Sequence, residues 1–163
     1  MRKWKHFIWI VLILLVFTFI GCIDGISPKE SNIIYVDVSG KANFTNIQDA
    51  IDISPKNYTI FVYGGIYREN IIINKTVNII GENAITTIMD GNASGDVLYI
   101  SIDGKANISG FTIKNSGNIG SPNNDAGIDI RSDYNNIKGN NISNNKNSIY
   151  TTYSQYNNFS QIL

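Results

Sequence analysis

The chain has 163 residues, enough for one domain, and its 13 basic and 13 acidic residues cancel. Charged residues make up only 16%, and no Lys/Arg run lies beyond the N-terminus, which argues against a nucleic-acid partner. Ile and Asn dominate, so the composition is neither collagen-like nor that of a highly charged disordered chain.

Arg2, Lys3 and Lys5 precede an apolar run from Phe7 to Ile20 that only Thr18 interrupts, the pattern of a secretory signal or short membrane anchor over residues 1–21. The run is about 14 residues long, short of the roughly 20 that span a bilayer as a helix. Phe19-Ile20-Gly21-Cys22 is similar to a bacterial-type lipobox, with Phe where Leu is usual. Cleavage there would leave Cys22 as a lipid-bearing first residue on the membrane surface; otherwise Cys22 ends an uncleaved anchor. The expected location is therefore the outer face of the cell membrane, or the exterior. Cys22 is the only Cys, so no intrachain disulfide forms, and the only His, His6, lies in the leader. Without residues 1–21 the chain keeps 10 basic against 13 acidic residues, a net charge of −3.

Residues 22–31 read as a tether and 32–163 as the folded domain. Ile33 to Val38 is strand-like, and Ser39-Gly40-Lys41 makes a turn. Thr45-x-x-Gln48 has the form of a capping box, Ile47, Ala50 and Ile51 share one helical face, and Ser54-Pro55 ends the segment. So short a helix is marginal alone and needs a surface to cover; the open end of a sheet stack offers one.

After it come short β-branched runs separated by Gly, Asn, Asp and Ser: Tyr58 to Tyr63, Asn70 to Asn74, Val77 to Gly81, Thr86 to Asp90, Val97 to Ile102, Asn107 to Gly110 and Phe111 to Lys114. Gly127 to Arg131, Asn136 to Gly139, Asn140 to Ser143, Ser148 to Thr152 and Asn157 to Ser160 continue the series. A phrase of Asn, a large apolar residue, any residue and usually Gly recurs at Asn78, Asn107, Asn136 and Asn158, with Gln161 in place of Gly in the last copy. Three runs and three turns make a coil of about 22 residues. These features predict an all-β, right-handed, single-stranded parallel β-helix of about five coils, its N-terminal end covered by the short helix. Asp90-Gly91 and Asp103-Gly104 would also suit antiparallel hairpins, but equivalent residues recur at near-constant phase, as stacking requires. The series stops in mid-coil at Leu163, which points to a fragment of a longer solenoid.

Ile108, Ile113, Ile137 and Ile142 are expected to point inward and stack. Asn78, Asn107, Asn136 and Asn158 are expected at a bend, in a column of bonded amides. Of the seven Asn-x-Ser/Thr triplets, Asn43, Asn57, Asn74 and Asn92 are the better glycan acceptors, because Asn107 and Asn158 would sit inside that bend.

The run Tyr35-Val36-Asp37, Phe44 to Ile51, Ile60 to Ile71 and Ile79-Ile80-Gly81 resembles the opening of pectin-lyase-like parallel β-helices. It is similar in particular to NosD-like repeat proteins of archaeal and bacterial cell surfaces, described as carbohydrate-binding and sugar-hydrolase domains. Phe111 to Ser116 and Asn140 to Asn145 match their later coils. The opening also resembles pectin methylesterases, through Gly65-Ile66-Tyr67-Arg68-Glu69. That resemblance implies catalysis by two Asp and an Arg on later coils with Gln residues for the oxyanion, and no Gln-Asp-Thr or Asp-Phe-Ile phrase follows here. The copper handling attached to some NosD-like proteins would need soft or imidazole ligands, and after the leader only Cys22 and Met89 are available, so a copper site is rejected.

The dense charged group is Asp125, Asp129, Arg131 and Asp133. With Ile128 and Ile130 inward, Asp129, Arg131 and Asp133 share the outer face as catalytic candidates. Polysaccharide lyases of this fold place Ca²⁺-binding carboxylates and a base on such a face, and paired carboxylates serve glycoside hydrolysis. An ordinary solvated face with an ion pair is the plainer account, since the outward positions one strand earlier are Tyr99 and Ser101. Tyr63, Tyr67, Tyr99 and Tyr150 are candidates for an aromatic stripe that stacks sugars, unless they merely fill half-buried strand surface. The expected function is a non-catalytic surface protein that binds glycans or builds the cell envelope. The alternative is a polysaccharide lyase, hydrolase or pectin esterase, or a piece of one.

Overall fold

The computed structural model describes residues 31–117 and 124–163; the leader, Cys22 and all of the tether but Ser31 lie outside them. It is a parallel β-helix of about five coils. One six-stranded sheet, sheet A, joins β1 (Ile33–Val36), β2 (Thr59–Val62), β5 (Val77–Gly81), β8 (Ala106–Ser109), β11 (Asn136–Lys138) and β14 (Asn158–Ser160). Sheet B stacks β3 (Gly65–Tyr67), β6 (Thr87–Asp90), β9 (Thr112–Lys114) and β12 (Asn141–Ser143). Sheet C stacks β4 (Ile71–Ile73), β7 (Leu98–Ile100), β10 (Ala126–Ile130) and β13 (Asn147–Thr151). Every strand pair among the described residues is parallel, so Asp90-Gly91 and Asp103-Gly104 make corners rather than hairpins.

Register places like on like. Ile60, Ile79, Ile108 and Ile137 form one inner column, and Tyr67, Met89, Ile113 and Ile142 a second. On sheet C, Ile71, Leu98, Ile128 and Ile149 form a third. All but Ile149 are buried, and each large aliphatic side chain removed from water contributes about 1.5–3 kcal/mol. The strand missing from the expected series is β3, three residues hidden behind Gly64-Gly65.

The helix α1 spans Ile47–Ile53 and buries Ile47, Ala50 and Ile51 as expected. Its cap differs. The N-cap residue is Asn46, not Thr45, and its side chain makes no cap bond. Instead Glu69, from the loop after β3, accepts the N–H groups of Ile47 and Gln48 at 2.9 Å each. A carboxylate at a helix N-terminus also opposes the positive end of the helix dipole. Gln48 then serves the edge of sheet C: its Oε1 accepts the Ile72 N–H at 2.8 Å and its Nε2 donates to the Ile72 carbonyl at 3.3 Å.

The Asn column is correct in register but not in place. Asn78, Asn107, Asn136 and Asn158 are stacked opposite one another within the strands of sheet A. They point outward, because the alternating residues Ile79, Ile108 and Ile137 occupy the interior. Asn107 donates to Asn78, and Asn158 donates to Asn136 at 3.1 Å. The amides at the corners belong to Asn135, Asn140 and Asn145. Each accepts a backbone N–H of the coil before it, from Ala106, Phe111 and Ser116 respectively, at 2.8 to 3.0 Å. Left-handed corner positions after sheet B include Asn92 (φ 52°), Asn115 (φ 60°) and Asn144 (φ 54°).

Candidate functional site

The expected charged group divides once folded. Asp129 lies on the outer row of sheet C between Tyr99 and Tyr150, its register partners on the two neighbouring strands. Arg131 follows β10 and folds back onto it: its Nε donates to one Asp129 oxygen at 2.9 Å and its Nη2 to the other at 3.0 Å. This bidentate geometry fixes the guanidinium plane. The Asp129 carboxylate is only 5% exposed beneath it, whereas the Arg131 side chain is 36% exposed. The guanidinium also lies over the Tyr150 ring, 5.7 Å from its centroid. Bonding to Asp129 pushes the Arg131 guanidinium further above its ordinary range.

Asp133 does not share this face. The strand ends at Ile130, Ser132 turns inward, and Asp133 sits in the corner, where it accepts the Gln155 N–H at 2.6 Å. It closes a turn, as Asp side chains commonly do. The four tyrosines divide too. Tyr99 and Tyr150 flank Asp129. Tyr67 is in the core, 1% exposed, its hydroxyl donating to the Tyr63 carbonyl at 2.9 Å. Tyr63 lies away from sheet C, in an aromatic cluster with Tyr35 and Phe61.

The structure adds a carboxylate that the spacing did not reveal. Asp96, half-buried just before β7, accepts the Ala126 N–H at 2.7 Å. Burial chiefly, then the nearby charges of Asp129 and Asp125, push its carboxyl above the ordinary 3.8, against the pull of the Ala126 bond. It lies in the turn, in register with Ala126 rather than with Asp129, so the period-two alternation along the strands does not point to it. Asp96 binds its proton more tightly in the folded state than in the unfolded chain. Its contribution to stability is therefore complete below pH 3.8 and lost as the pH rises through the window above it. We expect Asp96→Asn, which keeps the acceptor for Ala126, to flatten the fall in stability above that pH. The effect is read from urea midpoints across a pH series.

Among the described residues no group of three His, Cys, Asp or Glu side chains converges to hold a metal ion. Of the sequon residues, Asn43, Asn57, Asn74 and Asn92 are exposed; Asn158 is exposed and Asn107 half-exposed, on the outside of sheet A rather than inside a bend. None of the helices among the described residues is long and apolar enough to cross a membrane.

No family model matches the chain. A pectinesterase/pectinesterase inhibitor of Prunus persica is 36% identical over 78 residues, which is 44% of this chain and 14% of that protein. A probable pectinesterase/pectinesterase inhibitor of Arabidopsis thaliana is 36% identical over 81 residues, again 44% of this chain and 14% of that protein. The match thus spans about a seventh of these relatives. Among solved structures, pectin methylesterase from carrot superposes with a TM-score of 0.62 at 18% identity, over 72% of this chain and 41% of that one. A pectin methylesterase in complex with a hexasaccharide gives a TM-score of 0.57 at 16% identity, over 72% of this chain and 45% of its own. The fold is therefore the pectin-methylesterase-like parallel β-helix.

Proposed function

We propose that the protein is carbohydrate-active and takes an acidic polysaccharide of the pectin type along the outer face of sheet C. The observation that carries this reading is the guanidinium of Arg131, held in plane by a buried Asp129 that lies between Tyr99 and Tyr150, and laid over the Tyr150 ring. A fixed guanidinium pairs with a uronate carboxylate, and the adjoining rings offer faces to the C–H surface of a sugar. The partial relatives are named pectinesterases, which supports this substrate class and favours a carbohydrate-active role over a purely structural one.

Asp96 favours a second, narrower reading, hydrolysis of the uronate methyl ester. A carboxyl that keeps its proton above the usual range can pass it to the departing methoxide as water adds to the ester carbon and the C–O bond breaks, then take back the proton that the added water releases. In either reading an N-terminal leader over residues 1–21 would deliver the domain to the outer side of the membrane.

Calorimetric titration with polygalacturonate, together with a methanol assay on its methyl ester, tests both. We expect wild type to bind the free acid, and Arg131→Ala to bind it at least tenfold more weakly. Methanol release that Asp96→Asn abolishes supports the esterase. Binding without methanol release removes the esterase reading and leaves a glycan-binding surface. Absence of binding by wild type overturns the proposal.

A further inference from the structure

Where sheet C turns toward sheet A, a groove of about 720 Å³ opens between the corner of one coil and the corner of the next. It is lined by Asp103 and Lys105 from the earlier coil, by Arg131, Asp133 and Tyr134 from the next, and by Tyr153 from the coil after that. Arg131 thus borders both this groove and the outer face of sheet C.

Tyr134 is the unusual member. It is 60% exposed, although exposure of a large ring gains nothing for the fold. Its φ is 61°, a left-handed backbone conformation that is uncommon for a bulky residue and costs energy to hold. Tyr156, one coil further on, has φ 55° and is 71% exposed. The two rings stack at 5.2 Å between centroids and 9° between planes. Tyr156 therefore covers one face of Tyr134 and fixes its orientation. Tyr134 precedes Asn136 by two residues as Lys105 precedes Asn107, so its other side faces the groove wall formed by the earlier coil. The Tyr134 N–H donates to the Gln155 carbonyl at 3.2 Å, and the Gln155 N–H donates to Asp133 at 2.6 Å. Two strained tyrosines are thus braced into one rigid platform.

We infer that this groove is a second saccharide subsite, in which a pyranose ring stacks on Tyr134 and is held by Asp103 and Lys105. The inference rests on the polysaccharide reading of sheet C and extends it: through Arg131, one continuous chain would occupy both places. The chemistry fits a sugar. An aromatic face takes the apolar C–H side of the ring, a carboxylate takes paired hydroxyls, and an ammonium takes a hydroxyl or a uronate oxygen.

The test compares a galacturonate dimer with a longer galacturonate oligomer, titrated calorimetrically into wild type, Tyr134→Ala and Tyr134→Phe, with circular dichroism as the check on folding. We expect Tyr134→Ala to weaken the longer oligomer about tenfold while leaving the dimer unchanged, and Tyr134→Phe to bind both like wild type. An unchanged affinity for the longer oligomer in Tyr134→Ala, or an equal loss for both ligands, overturns the subsite while the sheet C site stands. Failure of wild type to bind either ligand overturns both. If Tyr134→Ala does not fold, the decision passes to Asp103→Asn: weaker binding of the longer oligomer alone sustains the subsite, and unchanged binding removes it.

Discussion

Replacing Gly81 by Ala is expected to destabilise the domain by about 3 kcal/mol, the upper range for forcing a methyl into a packed interior. Gly81 ends β5 and packs backbone to backbone against Gly110, and a Cβ there would run into the Gly110 carbonyl. That neighbour is main chain in the next coil, so it cannot yield by a rotamer change. Gly139 is the control. It lies in the equivalent corner with φ 65°, but a Cβ there meets nothing within 4 Å. Gly139→Ala therefore bears only the conformational cost, about 1–2 kcal/mol. Gln161 already adopts φ 52° at the same place one coil later. Urea unfolding followed by circular dichroism separates the two variants; equal losses would show that the close approach of Gly81 to Gly110 costs no more than the backbone strain at 139.

Asn140→Ala is expected to cost about 2–4 kcal/mol, whereas Asn136→Ala should cost less than about 1 kcal/mol. Asn140 is 1% exposed; its Oδ1 accepts the Phe111 N–H and its Nδ2 donates to the Ile108 carbonyl, both at 3.0 Å. Removing it leaves a donor and an acceptor unpaired in the dry interior, and the desolvation of each is then uncompensated. Asn136 lies on the outside of sheet A, where water replaces its bond with Asn158. Hydrogen exchange adds a local readout, since the Phe111 amide should lose protection in Asn140→Ala alone. Similar losses in both variants would return the outward column to the structural role that its repetition implied.

The repeat was legible because stacking demands it: residues that recur at one phase must meet, and Ile79, Ile108 and Ile137 do. Which of two adjacent asparagines turns inward was not legible. Asn135-Asn136 and Asn140-Asn141 present the same letters, and the choice depends on whether the corner or the strand claims the residue. The helix cap was misread for a related reason. Thr45-x-x-Gln48 has the right spacing, but Glu69 supplies the carboxylate from 22 residues away, and only the closed coil brings it there. At the site, period two placed Asp129 on the outer face of sheet C. It carried Asp133 too far, because the strand had already ended, and it missed Asp96, which reaches the neighbourhood of Asp129 from a turn. Tyr67 and Tyr99 look alike as tyrosines on short strands; one points in and the other out, and the hidden strand β3 was needed to tell them apart.

The helix at the N-terminal end has a use beyond this molecule. Gln48 supplies an acceptor and a donor to Ile72, the two bonds that a further strand would have made, so one side chain stands in for a neighbouring backbone. Its helix is in turn anchored by Glu69 of the first coil. Helix, Glu69 and Ile72 therefore make a self-contained end-piece for protein engineering. Grafted together onto another parallel solenoid, they would close its open edge against end-to-end polymerisation; grafted without Glu69, the helix would arrive with two amides unpaired and no anchor.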